Sequence, residues 1–226
     1  MSFRSDEFLK KQQINNQLNL AVAKAEVEKV RQLISEGADV NSFGEKGIGS
    51  VSKRTPLWAA VNHAATEISE EWREFCEALH DVALSLPKRE CSDMRRRYLK
   101  IIETLLESGA DTEIRCFGTV PLGQAVHGCD FEVVVLLLSK GANPNAESFS
   151  IFSKLAKRER YKVSPGYYDT VLHQVVETGS LPIVRALLAA GADPKRTNHE
   201  GKTALDIVKE RGAMELICLL EQASNK

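Results

Sequence analysis

The stretch Ser35–Asn41 reads SEGADVN, and close variants stand at Glu107–Glu113 (ESGADTE), Ser139–Asn145 (SKGANPN) and Ala189–Lys195 (AAGADPK). In each copy the glycine follows an apolar helical run and can take the left-handed conformation that ends a helix at little steric cost. Each copy therefore marks a helix C-terminus. Upstream of each turn a β-branched residue is followed three positions later by leucine: Val30 and Leu33, Ile102 and Leu105, Val134 and Leu137, Val184 and Leu187. Ile217 and Leu220 repeat the spacing without the glycine turn. That spacing puts both side chains of a pair on one helical face.

Further upstream a second leucine recurs: Leu18 in NQLN, Leu57 in TPLW, Leu122 in VPLG, Leu172 in TVLH and Leu205 in TALD. These segments resemble the start of the ankyrin repeat, and GADVN resembles its end. The resemblance gives five ankyrin-like repeats at about 16–41, 55–113, 120–145, 170–195 and 203–222, read as one array over 1–226. It implies an all-α fold, an ankyrin-repeat α-solenoid of paired antiparallel helices with projecting hairpin loops. In that family the histidine of the TPLH segment hydrogen-bonds between adjacent repeats, which puts His173 in this role and leaves Trp58 as a departure.

The intervals locate three insertions. First-helix leucine and second-helix β-branched residue are 12 apart in four repeats (18 to 30, 122 to 134, 172 to 184, 205 to 217) but 45 apart in the second (57 to 102). From second helix to next leucine the intervals are 27, 20, 38 and 21 (30 to 57, 102 to 122, 134 to 172, 184 to 205), so the first and third linking loops are also lengthened. A hidden sixth repeat would put Ser69 and Glu90 at buried slots, each costing roughly 1–3 kcal/mol unpaired. The apolar spacing gives a different reading. Ile68, Trp72, Phe75, Leu79, Val82 and Leu86 step by four and three, and so do Met94, Tyr98, Ile101 and Leu105. The acidic run from Glu67 to Asp81 faces a basic one from Lys88 to Lys100, with Pro87 as the break and Ser92 and Asp93 as the N-cap. Repeat two is expected to carry an extended helical hairpin, an insert at 64–96, pointing away from the loop side. Deleting Thr66–Arg95 is expected to leave the array folded.

Chemistry-bearing constellations are few. His63 and His127 fall near first-helix ends, as polar surface residues. Cys76 and His80, four apart, share one face of the inserted helix, the minimum geometry for a thiolate–imidazole pair, although a thiol beside a solvent histidine gives the same spacing. No zinc-site spacing, nucleophile elbow or phosphate-binding glycine motif occurs, and GEKGIGS at Gly44–Ser50 reads as a loop. No cofactor or metal is expected. The loop insert at 147–169 is both basic and aromatic: Lys154, Lys157, Arg158, Arg160 and Lys162 interleave with Phe149, Phe152, Tyr161, Tyr167 and Tyr168. Such a mixture suits cation–π anchoring of a partner, and it equally suits a short helix packed on the array.

The formal charge of −1 supplies no general attraction to nucleic acid or anionic lipid. The polar start MSFRSDEFLKKQQINN and five cysteines without a C-x-x-C pair point to reduced thiols in a cytoplasm-like compartment, or to delivery into a host cytoplasm without a conventional signal peptide. The leading expectation is a non-catalytic protein–protein interaction module: an adaptor, inhibitor, effector or immunity-type binder of another protein. By resemblance to the family, its contacts would come from loop tips and exposed first-helix faces: Phe43, Lys53, Arg54, Arg115, Phe117, Phe149, Lys157, Tyr161, Tyr167, Arg196 and Asn198. Two alternatives stay open, an enzyme built on Cys76 and His80, and nucleic-acid binding through Arg95–Arg97 or the basic loop.

Overall fold

All four glycines of the repeated turn have positive φ, between +84° and +95° (Gly37, Gly109, Gly141, Gly191). The computed structural model describes residues 3–44, 54–66, 93–149 and 168–225. In every copy the alanine after the glycine donates its N–H to the carbonyl of the repeat leucine: Ala38 to Leu33, Ala110 to Leu105, Ala142 to Leu137 and Ala192 to Leu187, at 2.9–3.0 Å. This bond from beyond the helix end to its last turn satisfies a carbonyl the helix would leave orphaned. The alanines are buried. The next residue closes an Asx-turn, with Asp39, Asp111, Asn143 and Asp193 each accepting from the backbone two positions on.

The last letter of the motif couples one copy to the next. Asn15 accepts from Asp39 N–H, Asn41 from Asp111, Glu113 from Asn143 and Asn145 from Asp193, at 2.8–3.1 Å. Asn41 and Asn145 also return a side-chain N–H to the carbonyls of Gly109 and Gly191. Successive turns are therefore rungs of one hydrogen-bonded ladder.

Ten helices are present among the described residues: α1 (Phe3–Ala23), α2 (Val27–Ser35), α3 (Pro56–Thr66), α4 (Asp93–Glu107), α5 (Pro121–His127), α6 (Phe131–Ser139), α7 (Val171–Thr178), α8 (Leu181–Ala189), α9 (Ala204–Arg211) and α10 (Met214–Ser224). Starts are set locally. Pro56 and Pro121 occupy first-turn positions where no N–H is needed, Asp130 accepts from Val133 N–H ahead of α6, and Thr203 with Asp206 forms a capping box on α9. The first helices α1, α3, α5, α7 and α9 pack side by side, each also against its own partner α2, α4, α6, α8 or α10. One apolar core runs through all of them and contains Leu18, Leu57, Leu122 and Leu172 with the paired Val30/Leu33, Ile102/Leu105, Val134/Leu137 and Val184/Leu187. In the last pair Leu205 and Ile217 are half-buried, since only one side has a neighbouring pair in this chain, and Ile207, Val208, Leu216 and Leu220 carry the burial.

The structure is all-α apart from one small sheet that the sequence reading lacked. Strands β1 (Glu147–Phe149) and β2 (Tyr168–Thr170) pair antiparallel, Glu147 opposite Thr170, at the two ends of the third linking loop. This stem is anchored by buried Gln174, whose side-chain N–H groups lie 2.7 Å from the Ser148 carbonyl and 3.4 Å from that of Asp169. Gly123 on α5 leaves the space that Ser148 fills. The Cys76/His80 pair, most of the helical insert and the basic loop, including Phe152, lie outside the described residues, whereas α3 and α4 border the insert. Asp93 lies within helix α4 and is not its cap, and Ser92 lies outside the described residues.

Two expectations are corrected beside that insert. Arg95 is not part of a solvent-facing basic strip: it is 2% exposed and donates to Asp130 through both terminal nitrogens, at 2.6 and 2.8 Å, to Glu132 at 3.2 Å and to the Ala64 carbonyl at 3.1 Å. It joins the C-terminus of α3 to the N-terminus of α6, so a deletion through Arg95 would strand Asp130. His127 is not a surface residue either; its Nε2 is enclosed, and burial pushes its pKa down to about 4, offset in part by the Gln174 side chain.

Candidate functional site

The loop before α5 turns within four residues. Cys116 and Thr119 exchange backbone hydrogen bonds at 2.9 and 3.0 Å, and the two central residues, Phe117 and Gly118, have φ of +54° and +80°. Those angles are the signature of a type I′ turn, whose first central position is normally taken by asparagine, aspartate or glycine. Phenylalanine there is strained by about 1–3 kcal/mol. Its ring is nonetheless 53% exposed.

Phe117 lies against the buried Trp58 ring, centroids 5.7 Å apart and planes at 59°, and the Arg54 guanidinium sits 5.0 Å from the Trp58 centroid and 5.3 Å from that of Phe117. Tryptophan therefore replaces the histidine bond with an aromatic–cation cluster spanning two loops. Thr55 fixes its base, donating its backbone N–H to Cys116 Sγ at 3.4 Å. Burial raises the Cys116 pKa, keeping it a thiol and making it a packing group rather than a nucleophile. The Trp58 indole N–H is enclosed and has no partner among the described residues.

The neighbouring tips connect to this cluster through the backbone. Gly44 donates to the Arg54 carbonyl at 3.2 Å, which sets half-exposed Phe43 next to it, and Phe149 donates to the Gly118 carbonyl at 3.0 Å. Two residues before Phe117, Arg115 lies 4.8 Å from the Tyr168 ring centroid on β2. Arg196 donates to the Asn145 carbonyl at 3.2 Å and lies 4.0 Å from Glu147. Asn198 accepts from Glu200 and Lys202 N–H and so organises the loop before α9. Of the expected contact residues, Phe43, Arg54, Arg115, Phe117 and Phe149 come together, Arg196 and Asn198 belong to the last loop, and Lys53, Lys157, Tyr161 and Tyr167 lie outside the described residues. Trp58 and Tyr168, the rings on which the arginines rest, were missing from the expected set; tryptophan in place of the motif histidine was the available signal.

His173 does what the resemblance implies. Its Nδ1 lies 2.7 Å from Thr170 Oγ1 and its Nε2 3.1 Å from the Lys202 carbonyl in the following loop, a pattern that fits an Nε2–H donor. Beside it, His199 Nδ1 contacts Asp169 at 2.7 Å, both largely buried, tying β2 to the same loop. No group of three or more metal-ligating side chains occurs among the described residues, and none of their helices is long and apolar enough to cross a membrane.

Comparison with known proteins agrees with this architecture. Residues 117–148 match a family model described as ankyrin repeat, and residues 159–208 match one described as ankyrin repeats (many copies). The chain is 26% identical over 203 residues to the Caenorhabditis elegans ankyrin repeat and KH domain-containing protein mask-1, covering 90% of this chain and 7% of that protein. It is 29% identical over 212 residues to the Mus musculus B-cell lymphoma 3 protein homolog, covering 88% and 41%. It is 34% identical over 123 residues to the probable E3 ubiquitin-protein ligase XBOS34 of Oryza sativa subsp. japonica, covering 53% and 21%. The chain thus spans less than half the length of these relatives.

Proposed function

This chain is an ankyrin-repeat protein, a protein-interaction module in the general sense, and from that premise we propose that it binds a partner protein through its loop tips without catalysing a reaction on it. The adaptor, inhibitor, effector and immunity-type roles are all forms of this reading. One observation carries it: a half-exposed phenylalanine held at strained positive φ over an arginine and a tryptophan. Strain of this kind persists where the surroundings over-determine it, and it concentrates at binding and switch sites. A rigid aromatic beside a stacked arginine is the pairing that dominates interface energies.

Nucleic acid is disfavoured by the fate of the basic run, since Arg95 is buried on Asp130 and Arg96 pairs with Asp93 at 3.4 Å. The test is cross-linked affinity capture with the intact chain and with a Phe117→Ala/Arg115→Ala variant whose thermal unfolding matches wild type. Partners captured by wild type and lost by the variant support the tips as the gripping surface. Capture of the same partners by both proteins removes the tips from the reading.

A further inference from the structure

We infer that the hairpin tips recognise an acidic peptide segment flanked by apolar side chains, its carboxylates docking on Arg54 and Arg115; this rests on the binding-module reading and gives the partner its chemistry. Among the other exposed arginines of the described chain, Arg31 pairs with Glu28, Arg96 with Asp93 and Arg196 with Glu147 within 4.0 Å, Arg211 donates to the Glu177 carbonyl, and Arg97 and Arg185 have neither a carboxylate nor a ring beside them among the described residues. Arg54 and Arg115 instead rest on rings, Arg54 against Trp58 and Phe117 and Arg115 against Tyr168, and neither has a carboxylate partner among the described residues. A guanidinium whose face is taken by an aromatic ring is held in one orientation and keeps N–H edge donors for a planar anion. A carboxylate accepts two such N–H groups in parallel, and pre-orientation lowers the entropy lost on pairing.

The apolar half of the proposed ligand follows from what flanks the cations. Phe117 is 53% and Phe43 52% exposed, and the Gly44–Arg54 backbone bond brings the Phe43 loop to the same place. The charge of the surrounding loops favours a peptide over a polyanion. Glu113 and Glu147 stand on the same loops, and the whole chain carries a net charge of −1, so long-range attraction for a phosphate backbone is absent while discrete ion pairs remain available.

The experiment is panning of short random displayed peptides on the intact chain, followed by fluorescence anisotropy with the enriched peptides as synthetic probes. Enrichment of Asp or Glu next to Leu, Phe or Trp is expected, with binding weakened about tenfold by Arg54→Gln or Arg115→Gln through loss of a charge-assisted hydrogen bond. Arg115 is exposed, so its variant tests the inference even where Arg54→Gln fails to fold. Peptides that need Phe117 but lack acidic residues, or that bind both glutamine variants as well as wild type, overturn the acidic chemistry and leave the tips as a binding surface. Peptides indifferent to Phe117→Ala and to both arginines, or no enrichment at all, overturn both readings. Displacement of the bound peptide by a single-stranded oligonucleotide in a steeply salt-dependent manner assigns the surface to nucleic acid and overturns the peptide class.

Discussion

Arg95 reaches Asp130 across 35 positions of chain, with each side chain 1–2% exposed, and the geometry is bidentate. Asp130 also accepts from Val133 N–H, so one carboxylate caps α6 and receives the arginine of α4. Replacing Arg95 with methionine leaves that carboxylate buried without its cation, and urea unfolding should show a loss of about 3–5 kcal/mol. The double variant Arg95→Met/Asp130→Val should recover part of that loss, since removing both charges also removes the desolvation cost; a double variant no more stable than the single one would refute this account. The sequence conceals such a residue. Its spacing placed Arg95 in a run of basic side chains, and only the fold reveals that α4 packs against α3 and aims it inward. The glycine turns were legible because their physics is local, whereas the rungs between Asn41, Glu113, Asn145 and the following turns were not, because each joins residues 30 or more positions apart.

At the level of elements, the third linking loop shows how an insertion is tolerated. Three residues at each end pair as β1 and β2, Gln174 holds both strands, and α5 approaches so closely that a Cβ on Gly123 would stand 2.4 Å from Ser148 Oγ. Gly123→Ala must therefore push β1 off α5 or force Ser148 from its rotamer, costing about 1–3 kcal/mol despite alanine's better helix propensity. Chemical denaturation of Gly123→Ala alone and with Ser148→Gly checks it, and the second change should restore stability. The strands themselves were invisible in the sequence, being too short for alternation to register and paired across a long interruption. A related expectation concerns the boundary of the insert in repeat two. Replacing residues 67–92 with a short Gly/Ser linker should preserve cooperative unfolding, and extending the deletion through Arg95 should cost as much as Arg95→Met.

For the whole molecule, the array was legible because each repeat contacts its neighbours by one rule, so the leucines and their helical partners placed the core in the first four repeats, while in the fifth Leu205 and Ile217 are half-buried at its edge. The tip cluster was only half legible: half-buried Arg54 and exposed Arg115 and Phe117 followed from the family pattern, and the rings beneath the arginines depended on how adjacent loops meet. Because the pairs are stacked into one core, protonation at a junction destabilises more than its own helix. His127 on α5 titrates at about 4 in the folded protein against an ordinary 6.5, and burial also lowers the pKa of His173 on the adjacent α7. A depressed folded pKa means that the unfolded chain binds the proton first, so the stabilisation is complete above about pH 6.5 and is lost progressively as pH falls toward 4. For His127 the loss approaches about 3 kcal/mol over that window. Asp206, whose pKa is lowered by the Thr203 hydroxyl and backbone, acts in the same direction only below its ordinary 3.8, so the two effects separate in pH. The urea midpoint of the wild-type chain should therefore decline between pH 6.5 and 4, and His127→Gln should flatten much of that decline while leaving the remainder due to His173. An unchanged slope in His127→Gln would show that the α5–α7 junction does not set the acid sensitivity of the array.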